Sequence, residues 1–129
     1  MSRETLLRAA FVGIRNFSVP VNEDFSEVIR FLNVDWSGST FAADIRSSPA
    51  TTGSPLDSMT VTSPTYSDGN TIITVSLPDA EVLALAATVS GGDLMEEAVL
   101  YWDLLRVTGA VTKVVLSGTF TLVPGVTAA

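Results

Sequence analysis

AVLYWDLLRV at 98–107 and VTKVVLSGTFTLV at 111–123, joined by the short link TGA, are the stretches whose reading decides the fold. In the first, Leu100, Trp102 and Leu104 alternate with Tyr101 and Asp103; in the second, Val114, Leu116, Gly118, Phe120 and Leu122 fall on a common face. Successive side chains of an extended chain point to opposite sides, so a period of two marks strands with one face buried. The glycine-containing link predicts that the two strands form an antiparallel hairpin.

The same period recurs upstream. TFAADIR at 40–46 sets Phe41, Ala43 and Ile45 against Thr40, Asp44 and Arg46, and FSEVIRFL at 25–32 carries its aromatics and Ile29 at odd positions. Residues 14–21 suit a first strand that Pro20 confines to an edge or ends. SMTVT at 58–62 and TIITVSL at 71–77 are rich in β-branched residues, and Asp68-Gly69 between them is a strong turn signal, which predicts a second hairpin. PDAEVLALAA at 78–87 is the helix candidate: proline near its start, Asp79 and Glu81 at its positively polarised end, then good helix formers. Short strands with turn signals at roughly ten-residue spacing and a single helix argue against a parallel α/β fold. The expected fold is all-β: an antiparallel β-sandwich, immunoglobulin-like or jelly-roll-like, of about seven or eight strands with one short helix near 78–87. It occupies 14–129 as a single domain. Residues 1–13 form an N-terminal arm, read either as a frayed helical turn or as a segment that docks on a neighbour.

Composition narrows the function. The chain has 129 residues, is 47% hydrophobic and 16% charged, and carries a net charge of −7, which fits one folded domain. Its seven basic residues are scattered, so no positive stripe exists for nucleic acid. No apolar run approaches the roughly 20 residues needed to span a bilayer. The apolar stretch 6–14 is interrupted by Arg8 and lacks a small-residue cleavage site, so it is not read as a signal peptide. Neither cysteine nor histidine is present. Thiolate chemistry, nucleophilic triads and the common zinc sites therefore fall away.

Carboxylates and oxygen-ligated cations remain. Fourteen acids offer candidate pairs for glycosidase chemistry in any arrangement, so pairing alone selects nothing; solvated turns and strand faces explain them better. Asn22-Glu23-Asp24 and Asp68-Gly69-Asn70 present oxygens in turns but lack the alternating acids and terminal glutamate of an EF-hand loop. No enzyme activity, metal or cofactor is expected. Trp36 and Tyr66 lie in loops and are candidates for a contact surface or, in a carbohydrate-binding module, a sugar-stacking platform; a loop aromatic folded back over the core is the competing reading. Trp102, inside an apolar alternation, reads as core.

The strand at 41–46 followed by Ser47-Ser48-Pro49, the Leu77-Pro78-Asp79-Ala80 helix start, Tyr101-Trp102-Asp103-Leu104, and the closing LSGTFTL at 116–122 with Val126-Thr127 together resemble small tail and baseplate proteins of bacteriophages and prophages. The likeness spans roughly residues 17–127 and is similar to the N-terminal, anchoring β-sandwich of upper baseplate proteins. It implies structural roles: Trp102 and Leu104 as core, Gly118 as a close-packing or bulge position, Arg46 as a rim charge paired with an acid. Extra residues precede the first strand and the sequence ends soon after the last, which favours a stand-alone virion subunit over an adaptor carrying a further module.

The resulting expectation is a phage structural protein of the tail, baseplate or head-tail region, made in the host cytoplasm and located in the virion. Its partners are other virion proteins and copies of itself, with no nucleic acid and no membrane; a host-surface glycan is the remaining partner. The alternatives are a capsid decoration protein and a carbohydrate-binding module. The expected contact surfaces are the arm, with Leu6, Leu7 and Phe11; the loop 47–55, with Pro49 and Pro55; and the loop aromatics Trp36 and Tyr66.

Overall fold

The computed structural model describes residues 3–8, 13–21, 23–48, 55–90 and 97–124. In chain order the elements are β1 (Arg3–Arg8), β2 (Gly13–Ile14), β3 (Phe17–Pro20), β4 (Phe25–Leu32), β5 (Thr40–Arg46), β6 (Asp57–Val61), β7 (Thr65–Ser67), β8 (Asn70–Leu77), α1 (Asp79–Ser90), β9 (Ala98–Thr108) and β10 (Val111–Val123). The strands form a single ten-stranded sheet in the order β1-β4-β8-β6-β5-β9-β10-β2, with β3 also on β10 and β7 also on β8.

The sheet is mixed and curled into a half-barrel, which corrects the expected antiparallel sandwich. Two features cause this. The shared strand β6 pairs through Asp57, Ser58 and Met59 with β5, and through Thr60 and Val61 with β8. It joins the two flanks into one surface. The N-terminal segment supplies the parallel pairs: β1 runs parallel to β4 at one edge, while β2 and β3 run parallel to β10 at the other. Parallel pairs join strands far apart in sequence and leave no turn signature, so the alternation pattern alone cannot announce them. The helical reading of the first residues is likewise replaced by β1, because the edge of β4 offers a ladder of partners that a lone helical turn lacks.

The inward faces meet in one core. Ile29 and Phe31 from β4, Ile73 and Val75 from β8, Ile45 from β5 and Leu104 from β9 are all sealed from water. Fully burying side chains of this size contributes about 1.5–3 kcal/mol each. Phe17 lies 4.8 Å from both Phe25 and Trp102, and Phe25 lies 5.3 Å from Phe120, so a chain of rings ties β3, β4, β9 and β10 together.

Local chemistry sets the turns. Asp68 and Gly69, with φ of 52° and 81°, make the two-residue connection between β7 and β8. The turn expected to link the runs at 58–62 and 71–77 therefore closes on β7 first, and β6 pairs with β8 beyond it. Helix α1 starts at Pro78, whose carbonyl accepts from the Glu81 and Val82 amides, while Asp24 Oδ1 takes the Asp79 amide at 2.8 Å. Val82, Leu85 and Ala86 are its buried face.

The β9–β10 hairpin forms as expected, with one shift. The ladder slips between Val114 and Leu116, and both Val115 and Leu116 are buried. This bulge removes Val114 from the face assigned to it by alternation, since an extra residue inverts the side-chain order beyond it. Next to the bulge, Gly118 lets the N-terminal segment approach: a Cβ there would collide with the Arg15 carbonyl. Arg15 N donates to Ser117 O at 2.8 Å, and Asn16 Oδ1 accepts from Thr119 N at 2.9 Å, carrying the chain from β2 to β3.

Candidate functional site

The outward face of β9 carries Val99, Tyr101, Asp103, Leu105 and Val107, opposite the core residues Leu100, Trp102 and Leu104. Register places Asp103 beside Asp44 of β5 on one side and Ser117 of β10 on the other, with Ser58 and Ile14 continuing the row. Arg46 and Thr119 flank Tyr101 in the neighbouring row. Two carboxylates directly opposite on adjacent strands repel.

Arg46 answers that repulsion. Its Nη2 lies 3.4 Å from Asp44 Oδ2 and its Nε 3.8 Å from Asp103 Oδ2. Ser58 Oγ donates to the other oxygen of Asp44 at 2.8 Å. Arg46, expected as a rim charge, is 11% exposed and held between two acids.

Asp103 is the residue that sequence reasoning missed. Alternation put it on the solvent face, yet its side chain is 6% exposed. Burial pushes its carboxyl above the ordinary range; Arg46 opposes that shift and Asp44 adds to it. Its Oδ1 is shut from water without a hydrogen-bond partner. An acceptor in that condition costs about 1–3 kcal/mol. Asp103 lines a half-open cleft of about 360 Å³ together with Ile14, Arg46, Tyr101, Trp102 and Thr119. The available signal was the apolar character of β9 on both faces, with an aspartate set into its outward side.

The Trp36 region is built differently. Asp35 Oδ1 accepts from both the amide and the hydroxyl of Ser37, which hold its carboxyl below the ordinary range and fix the turn. Thr71 Oγ1 accepts from Trp36 N at 2.7 Å and donates to Val34 O at 2.8 Å. The ring packs 5.0 Å from Phe31, and the Arg106 guanidinium lies 4.2 Å from its centre. Arg106 Nε in turn donates to Ser39 Oγ, which shares a hydrogen bond with Thr108 Oγ1. Trp36 is thereby folded over the core mouth, and a sugar would have to displace Arg106 to stack on that ring.

The other expected contact residues disperse. Tyr66 is 51% exposed on β7, and its register partner is the same Thr71 that anchors Trp36. Pro55 is half-buried just before β6. Leu6 and Leu7 lie within β1, opposite Arg30 and Phe31. Phe11 and Pro49 lie outside the described residues. Asp24 and Asp68 serve as the helix-start acceptor and a turn residue, and among the described residues no group of three or more acids gathers to hold a metal ion. No helix among them is long and apolar enough to cross a membrane.

No family model and no curated protein matches the sequence. Among solved structures, the chain is similar to a cysteine protease inhibitor, EhICP2, from Entamoeba histolytica, at 12% identity and a TM-score of 0.41, covering 95% of each chain. It is also similar to the N-terminal domain of ORF48 of phage TP901-1, at 11% identity and a TM-score of 0.42, covering 95% of this chain and 98% of that one. At these scores neither likeness assigns a function.

Proposed function

We propose that this chain is a non-catalytic β-domain that works through protein–protein contact, as a structural subunit of a phage particle. The observation that carries the contact reading is the outward face of β9. A strand apolar on both faces is normally covered on both. Here the inner face is sealed, while Val99 stands 51% exposed and Tyr101, Leu105 and Val107 remain partly open among the described residues. Ile14, 79% exposed, borders the same face across β10. Apolar surface flanked by polar β5 and β10 residues is the composition of a contact patch.

The phage half of the reading is supported by the sequence resemblance at 41–49, 77–80, 101–104 and 116–122. Tail, baseplate and capsid-surface positions all suit a subunit of this kind, and the resemblance favours tail or baseplate. Mass spectrometry of purified particles should find the chain as a stable component; its absence overturns the assignment. Val99→Glu should leave the fold intact and reduce incorporation, because a charge set into a contact patch is costly to desolvate.

A further inference from the structure

The cleft over Asp103 has a composition that selects its occupant. From β5 it is faced by Arg46, behind which Asp44 stands beside Asp103 in the strand register, from β10 by Ser117 and Thr119, from β2 by Ile14, and along its own strand by Tyr101. These groups include two carboxylates against a single cation. Asp103 Oδ1 is buried without a donor, and Asp103 lines the cleft. An anion is disfavoured by the charge balance, whereas a neutral donor would satisfy Oδ1 but leave the excess charge in place. The remaining walls come from Ile14, Val114 and Tyr101, which offer apolar and aromatic surface to an alkyl stem.

We infer that this cleft seats a lysine side chain of a partner protein, its ammonium donating to Asp103 Oδ1 and its methylene stem lying against Ile14 and Tyr101. Because Oδ1 is closed off in the free chain, entry requires the cleft wall around Asp103 to open. Tyr101 adds ring surface on which an ammonium is favoured. The identity of the carrier as a partner protein rests on the contact reading above; the ammonium site itself does not.

The test is a proton–nitrogen NMR titration of the full chain with n-butylammonium chloride at about pH 7. n-Butanol and sodium butyrate, which share the stem but not the charge, serve as comparison probes, with ionic strength matched by sodium chloride. The expected result is a saturable shift at the Tyr101, Ser117 and Thr119 amides with the ammonium, with butanol about tenfold weaker. Asp103→Asn, which keeps the shape and removes the charge, should weaken the ammonium by about tenfold. The wild-type chain provides the same test without a substitution: at about pH 3, where Asp103 is largely protonated, affinity should fall comparably. Equal binding of alcohol and ammonium, affinity unchanged at low pH, or no saturable shift overturns the inference. Absence from phage particles would overturn the assembly reading while leaving this titration intact, so the two fail separately.

Discussion

The Trp36 mouth and the Asp103 cleft lie on opposite faces of β9, and each is organised around an arginine, yet only one of them is finished. At the mouth, Arg106 covers Trp36 and donates to Ser39, Ser39 bonds Thr108, and Thr71 both accepts from Trp36 N and donates to Val34 O. Each of those groups has its partner within the chain. Across the strand, Arg46 is divided between two acids and Asp103 keeps a buried oxygen with no donor. A completed polar network fixes shape, because breaking it costs desolvation with no return. An incomplete one is destabilising until something supplies the missing donor. The difference separates a residue that is conspicuous in sequence but structural, Trp36, from one that is inconspicuous but unsatisfied, Asp103.

Substitutions can break or sharpen this contrast. Trp36→Ala should cost the most, about 3 kcal/mol, since it removes a ring packed on Phe31, Phe41 and Arg106; a urea unfolding midpoint unchanged from wild type would show that the mouth is not closed. Thr71→Val keeps the volume and orphans both the Trp36 amide and the Val34 carbonyl, and should lower stability by about 2 kcal/mol in the same assay.

Asp103→Asn should act in the other direction. Its carboxyl is raised in the folded chain, so the stability it contributes is complete below its unfolded pKa and is lost as pH rises through the folded value. At about pH 7 the wild type bears that penalty and the asparagine does not, so the variant should be more stable, with the gain vanishing near pH 3. A variant destabilised at neutral pH and indifferent in acid would reverse the assignment of the cleft as the unsatisfied site. Tyr66→Ala, at an exposed ring on a short strand, should change stability by less than about 0.5 kcal/mol by thermal melting.

Much of the framework was legible because it depends on local alternation. Strands β4 and β5, the β9–β10 hairpin, the inward Trp102 and the acidic start of α1 all follow from side-chain period and turn chemistry, which a sequence displays directly. What escaped depends on partners distant in the chain. Strand β1 is short and composed of residues equally at home in a helical turn; only the free edge of β4 makes it a strand. The bulge at Val115 hides in a run, Val114-Val115-Leu116, that is apolar in either register. Asp103 occupies a position that alternation assigns to solvent, and it is the arrival of Arg46 from β5 and Ile14 from β2 that walls it in. The site was therefore less readable than the fold: loop aromatics draw attention, whereas a buried acid on an outward face is visible only once strand order is known.

The central claim, that the chain keeps an unmet acid on the outward face of its sheet, is tested most directly by following the Asp103 side-chain carboxyl through a carbon-13 NMR pH titration of the free chain. The expected midpoint lies above the ordinary value of 3.8, raised by burial. A midpoint at or below 3.8 would contradict it, because it would mean that Arg46 or water already satisfies the group.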